Sequence, residues 1–375
     1  MITISLCMIV LNEEETLSRC LDCVKDIVDE IIIVDTGSTD KTKEIAKRYT
    51  KNVYSFKWVD DFSKARNFAF SKATKEYCMW LDADDVILPD DQKKLILLKK
   101  ELDPKVDTVL MKYNLGTQDD GSVYCTFRRE RLVKREKNFQ WQDPVHEYIL
   151  FSGTIFNSDI AITHKKIHPP TKRNLEIFEK YIANGHELSE RNWFYYAREL
   201  CRDGQYDKAI EYFHKFLNTE NGLQSNYLDA CIDLATCFQK KNDNINELRS
   251  LLRYLEYDSP RPEIFCKIGY YYKEKKDYEK AIKWFSLAPG LPKPVGSWGS
   301  VSHMYWDYIP YMELCSCHYR LGDVNQAIHY NEMAAQSRPD NSIIIHNRQF
   351  LGIVKEKLVE RIKEKHLEQI SEHKK

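Results

Sequence analysis

No sign of charge dominates this chain: 56 Lys and Arg meet 57 Asp and Glu, for a formal net charge of -1 over 375 residues. The basic excess that would point to nucleic acid is missing. No apolar run approaches the roughly 20 residues needed to cross a bilayer. The start, Met1-Ile2-Thr3-Ile4-Ser5-Leu6-Cys7-Met8-Ile9-Val10-Leu11, lacks a basic leader and a small-residue cleavage site, and it reads as a first buried strand rather than a signal peptide. The 11 cysteines follow no framework spacing, which argues against a disulfide scaffold and fits a reducing cytoplasm. Cys20-Leu21-Asp22-Cys23 lies in a helical pattern without a second pair and reads as packing, as do Cys315 and Cys317. The first strand leads into Leu11-Asn12-Glu13-Glu14, not into a glycine-rich phosphate loop, which excludes a nicotinamide dehydrogenase.

What is present begins with Trp80-Leu81-Asp82-Ala83-Asp84-Asp85 at the end of an apolar strand. Asp82 and Asp84, one residue apart, point to the same side of an extended backbone. Such a pair can hold a divalent cation and, through it, a diphosphate. Upstream, Ile31-Ile32-Ile33-Val34-Asp35 is a second strand ending in an acid. Between them the pattern predicts strands over 2–11, 30–35, 53–56 and 77–81, alternating with helices opening at Asn12, near 41–49 and over 62–74. That alternation predicts a mainly parallel sheet covered on both faces, with its ligand beyond the carboxyl ends of the strands, where Asp35 and Asp82 to Asp85 lie. After a helix from Pro89 to about 101, Val106–Leu115 and Ser122–Phe127 read as a hairpin around Asp119-Asp120-Gly121. Arg128, Arg129, Arg131, Lys134 and Arg135 read as a solvated strand edge, with phosphate or acceptor contact as the alternative.

Pro169-Pro170 marks a change of pattern. From about 172 the chain reads as helix after helix. Phe265-x-x-Ile268-Gly269-x-x-Tyr272, then Ala281, Phe285 and Pro289, fits the tetratricopeptide template. The same frame recurs around Ala197 and Ala209, Ala235 and Glu247, and Cys315 and Ala327, with starts 38, 34 and 46 residues apart. Four such pairs exceed the roughly three needed for a stacked core. Many of the 23 tyrosines serve that packing, and some suit a concave peptide-binding face. The stretch from 353 reads as a charged capping helix.

Four ordered stretches resemble family 2 glycosyltransferases of the GT-A fold: Leu6-Cys7-Met8-Ile9-Val10-Leu11-Asn12-Glu13, Ile33-Val34-Asp35-Thr36-Gly37-Ser38-Thr39-Asp40, Asp61-Phe62-Ser63-Lys64-Ala65-Arg66-Asn67 and Trp80-Leu81-Asp82-Ala83-Asp84. With the helical repeats, the chain is similar to the subgroup that pairs such a domain with a tetratricopeptide module and includes peptide glycosyltransferases acting on bacteriocin precursors at Ser or Cys. The resemblance implies an α/β GT-A (Rossmann-like) domain over 1–170, an all-α repeat solenoid over 171–352 and a tail over 353–375. It implies an inverting transfer from a nucleotide sugar, of the UDP type, to a Ser, Thr or Cys side chain with Mn2+ or Mg2+. A cell-surface glycan or lipid-linked acceptor, and an inactive scaffold, are the alternatives. Leu11, Asn12, Asp35, Arg66 and Asp82 would hold the nucleotide sugar, with Asp35 on the base, Asp82 on the ribose or the metal and Arg66 near the diphosphate. Asp84, Asp82 and His164 would hold the metal, with His168 as the fallback. Glu147 would be the catalytic base, with Asp143 as the other candidate, and Asp85 would support the loop or the acceptor side. The expected partners are a nucleotide-sugar donor and a peptide or protein acceptor, without nucleic acid or a membrane span, in a cytoplasmic protein whose exposed repeat helices suit a homodimer.

Overall fold

The computed structural model describes residues 1–117, 123–167, 169, 171–219, 222–292 and 302–372. The first half alternates strands and helices: β1 (Ile4–Val10), α1 (Leu17–Asp22), β2 (Glu30–Asp35), α2 (Thr42–Tyr49), β3 (Val53–Ser55), α3 (Phe62–Phe70), β4 (Tyr77–Trp80), β5 (Asp85–Ile87) and α4 (Pro89–Glu101). Then come β6 (Thr108–Thr117), β7 (Val123–Lys134), β8 (Trp141–Gln142), β9 (Tyr148–Ile149) and β10 (Ile155–His164). The eight-stranded sheet runs in the order β3-β2-β1-β4-β7-β6-β10-β5, and β8 and β9 form a separate ribbon.

The first four strands pair in parallel as expected. β1 is apolar on both faces because both are covered. Leu6, Met8 and Val10 pack with Leu17, Leu21, Ile45 and Leu95 of the helices on one side. Cys7 faces Ile32, Val34 and Ala69 on the other. Beyond β4 the sheet is mixed, because β7 runs antiparallel to both β4 and β6. The hairpin tip at Asp119-Asp120-Gly121 lies outside the described residues.

The basic run departs from expectation. β7 extends to Lys134 and lies between β4 and β6, so it is an interior strand and not a solvated edge. Arg131 is fully buried, with its Nη1 donating to Asp85 Oδ2 at 3.0 Å. Its guanidinium stacks on the Trp80 ring at 3.6 Å. A guanidinium can be tolerated there because a buried carboxylate and an aromatic face replace water.

The rest is helical, as an all-α repeat region should be: α5 (Arg173–Ala183), α6 (Glu190–Asp203), α7 (Tyr206–Leu217), α8 (Gln224–Lys240), α9 (Asn244–Arg253), α10 (Pro262–Glu274), α11 (Tyr278–Phe285), α12 (Tyr308–Arg320), α13 (Val324–Ala335) and α14 (Ser342–Glu372). Pairs of helices repeat one set of turn devices. Asp243, Asp277 and Asp323 cap α9, α11 and α13 by accepting a hydrogen bond from the backbone N–H three residues on. Seven residues after each small slot the chain turns through positive φ, at Gly204, Asn242, Lys276 and Gly322. The spacing between these turns matches the spacing of the copies. Gly269 is required by contact: a Cβ there would lie 2.7 Å from the Phe285 ring.

Two compact units result, one of residues 1–225 and one of the described residues from Asn226 onward. The first holds the sheet together with α5 to α7. None of the 11 cysteines forms a disulfide. Among the described residues no helix is long and apolar enough to cross a membrane.

Candidate active site

At the carboxyl ends of β1 and β2 the loops interlock. Thr36 N–H donates to the Val10 carbonyl at 3.0 Å. Asn12, at φ 55, accepts from Thr39 N–H at 2.8 Å and donates its own N–H to Ser38 Oγ at 2.9 Å. Asp35 is buried and accepts from Gly37 N–H at 3.0 Å and from Ser38 N–H, with Lys43 Nζ at 3.1 Å. Its carboxylate therefore shapes the loop in which Leu11, Asn12 and Asp35 come together, and Leu11 is exposed at its edge.

The acid cluster sits in the tight turn joining β4 to β5. Asp82 N–H donates to Asp85 Oδ2, and Asp85 N–H donates to the Asp82 carbonyl, both at 3.0 Å. β5 pairs antiparallel with β10, and that register places His164 opposite Asp85. His164 Nδ1 lies 3.3 Å from an oxygen of Asp84 and 3.3 Å from one of Asp85. Donor atoms of Asp84, Asp85 and His164 all lie within 4.8 Å of one another. Burial alone would push the imidazole down, but Asp84 and Asp85 outweigh it and push His164 up to about 10. The cluster is thus a place that attracts positive charge.

The two acids nevertheless differ. Asp85 is fully buried and its carboxylate is already engaged, accepting from Tyr113 Oη–H at 2.8 Å, Arg131 Nη1 at 3.0 Å and Asp82 N–H. Asp84 is partly exposed, and its carbonyl, not its carboxylate, holds the Lys165 N–H. Two carboxylates and an imidazole form a donor set suited to Mn2+ or Mg2+. Asp84 and His164 are partly exposed, whereas Asp85 is fully buried beside them. His168 lies outside the described residues.

Asp82 points elsewhere. Arg66 on α3 donates from Nη2 to Asp82 Oδ1 at 2.7 Å and from Nε to Glu147 Oε1 at 2.6 Å. One guanidinium therefore joins residues 16 and 81 positions away. It lies against both Trp80, at 4.9 Å, and Trp141, at 4.8 Å, and those rings meet edge to face. Burial works against its charge, but Asp82 and Glu147 hold its pKa above the usual value. Burial also opposes the Asp82 charge, yet Arg66, Arg131 and His164 hold its carboxyl down at about 2.

Glu147 comes from the loop between β8 and β9. Asn67 on α3 anchors that ribbon by a two-way bond, donating to the Trp141 carbonyl and accepting from Trp141 N–H. Asp143 takes a separate place: its Oδ2 accepts from Arg191 on α6 at 3.0 Å. The structure thus brings together Arg66, Asp82 and Glu147 beside Asp84, Asp85 and His164, and ties Asp143 to a helix of the repeats. Sequence reading left out Arg131, Tyr113 and Asn67 as builders of this site. Asn67 stands in a recognisable stretch and Arg131 in the basic run, but nothing local names the partners of the three, which lie tens of residues away.

The protein-family model described as Glycosyl transferase family 2 matches residues 5–161. An uncharacterized glycosyltransferase of Rickettsia typhi is 31% identical over 286 residues, covering 64% of this chain and 96% of the relative. The SPbeta prophage-derived glycosyltransferase SunS of Bacillus subtilis is 28% identical over 277 residues, 69% of this chain and 64% of its own. A TPR repeat-containing protein of Synechococcus elongatus is 28% identical over 319 residues, 82% of this chain and 72% of its own.

Proposed function

The chain belongs to glycosyl transferase family 2, and from that premise we propose that it transfers a sugar, with inversion, from a UDP-type nucleotide sugar to a Ser, Thr or Cys side chain of a peptide or protein. The observation that carries this reading is the pairing of Arg66 with both Asp82 and Glu147 next to the Asp84, Asp85 and His164 cluster. It sets a candidate base beside a candidate cation site at the end of β4.

The chain's own residues divide the task. Leu11, Asn12 and Asp35 form the wall for the nucleotide, and Asp82 borders its ribose and diphosphate. Glu147 takes the proton from the acceptor hydroxyl or thiol as that atom bonds to the anomeric carbon. The bond from that carbon to the diphosphate oxygen breaks, and its electron pair leaves with the nucleoside diphosphate. Arg66 holds Glu147 on the acceptor side and keeps Asp82 ionised. A divalent cation held by Asp84 and His164, with Asp85 behind, would neutralise charge developing on the departing diphosphate. Asp143, held by Arg191, is the weaker candidate for the base.

The acceptor reading draws on the second unit. A cavity of about 450 Å³ there is lined by Tyr270, Tyr308, Tyr319, Lys273, Glu313 and Arg320 among others. Aromatic walls with both signs of charge suit an extended peptide. Eleven cysteines outside any disulfide agree with work in the cytoplasm.

The test is a panel of UDP-sugars with Mn2+, Mg2+ or a chelator, read as UDP release and as mass gain on candidate peptides. Transfer that needs the cation and disappears in Asp84→Ala supports the reading. Undiminished transfer by Asp84→Ala would sink the metal assignment.

A further inference from the structure

The loop that carries Glu147 is held from two sides, by the sheet domain and by the helix α6. Asp143 and His146 adopt positive φ, 71° and 54°, which non-glycine side chains resist at a cost of about 1 kcal/mol or more each. Such a loop persists only where its surroundings over-determine it. The sheet domain supplies part of those surroundings, with Arg66 on the Glu147 carboxylate, Arg129 on the Glu147 carbonyl and Phe62 N–H on the Pro144 carbonyl. The side chains of Asp143 and His146 are held by one stripe of α6, at Arg191, Tyr195 and Glu199, spaced four residues apart and so stacked on one helix face.

Each of the three grips the loop differently. Arg191 Nη1 donates to Asp143 Oδ2 at 3.0 Å, and its guanidinium stacks on Tyr148 at 4.4 Å and on Tyr195 at 4.5 Å. The Tyr195 ring stacks on His146 with centroids 4.2 Å apart and planes 18° apart. Glu199 Oε1 lies 2.9 Å from His146 Nε2 and is held in turn by Asn174 and Arg202. The held positions, 143, 146 and 148, bracket Glu147 on both sides. Burial pushes the His146 imidazole down, partly opposed by Glu199, and a carboxylate at Nε2 can only accept, so that nitrogen is the donor.

We propose that α6, the first helix of the first repeat pair, is a positioning element of the active site: Arg191, Tyr195 and Glu199 clamp the 143–148 loop so that Glu147 meets Arg66 and faces the acceptor. The proposal rests on reading Glu147 as the base. On this account the repeats complete the catalytic centre as well as extending beyond it. A misplacement of about 1 Å can cost on the order of a hundredfold in rate, so loosening the clamp affects turnover more than donor binding.

The experiment uses the full chain with Tyr195→Ala, Glu199→Ala, the conservative Tyr195→Phe and Glu199→Gln, and Glu147→Gln alongside. Hydrogen exchange is followed by mass spectrometry, and UDP release from UDP-glucose, UDP-galactose and UDP-N-acetylglucosamine gives kcat and KM. The alanine variants should speed exchange in the 143–149 segment with β1, β2 and β4 unchanged, and lower kcat about tenfold or more with KM within about twofold. Tyr195→Phe keeps the ring and Glu199→Gln keeps an acceptor, so both should restore most of the rate. Unchanged exchange at 143–149 in both alanine variants overturns the proposal whatever the turnover. Loosening throughout the sheet also overturns it, since that marks a merely structural role. If Glu147→Gln is inactive while the alanine variants keep full kcat, the clamp fails and the base assignment stands. If Glu147→Gln keeps full kcat, the base assignment fails and takes the clamp's purpose with it.

Discussion

Asp84 and Asp85 are neighbours in the chain with opposite surroundings, and that difference predicts two unlike failures. Asp85 is fully buried against Arg131, which is also fully buried. Removing one partner of such a pair leaves an uncompensated charge, at a cost of about 3–5 kcal/mol. Asp85→Asn should therefore lower the thermal midpoint sharply in calorimetry, whereas Asp84→Ala should leave it nearly unchanged and lose cation-dependent turnover. The reverse order would mean that Asp85 is the ligand and Asp84 the support. Arg66 yields a second expectation. Its planar fork serves two carboxylates while packed against two tryptophans, which an ammonium cannot reproduce. Arg66→Lys should lower kcat for UDP release by about tenfold or more while the protein still folds; a rate within twofold would show that the bridge is dispensable. The acids at strand ends were visible in the sequence because an apolar run followed by Asp-x-Asp is a local pattern. The Arg66 bridge was not, because Glu147 stands 81 residues away and only the sheet order brings it close.

At the scale of elements, strand and helix order were largely legible, since period-two and period-3.6 patterns are written within each segment. β7 shows where that legibility ends. Its arginines look like a solvated edge until β4 and β6 are seen on either side, with Asp85 and Trp80 taking the charge. The repeats were readable for the opposite reason: their small slots, caps and turns recur. One recurrence is imperfect. The turn position is Gly at 204 and 322 but Lys at 276, with φ 60. A non-glycine residue in that region is strained by about 1 kcal/mol. Lys276→Gly should therefore raise stability by about 1 kcal/mol in chemical denaturation. Gly269→Ala should do the reverse, because its Cβ would meet the Phe285 ring at 2.7 Å, and overpacking costs about 1–3 kcal/mol. If Lys276→Gly is destabilising, the Lys276 side chain contributes more than the strain removes.

At the scale of the whole molecule, the change of sequence pattern at Pro169-Pro170 and the compact unit ending at Ser225 divide the chain differently. Pattern follows local periodicity, and compactness follows contacts such as Arg191 to Asp143 and Lys180 to Asp60 that no local pattern encodes. The two divisions make different forecasts for truncation. A fragment ending at 219 keeps α5 to α7 and with them the hold on the Glu147 loop. It should release UDP from a nucleotide sugar at a rate within a few-fold of the full chain, while transfer to a peptide falls much further for want of the second unit. A fragment ending at 170 removes α6, leaves Asp143 and His146 without partners in their positive-φ conformations, and should lose UDP release by about a hundredfold. Circular dichroism on both fragments would confirm that the sheet is retained. Equal UDP release by the two fragments would mean that the sheet domain orders its own catalytic loop and that the repeats serve the acceptor alone.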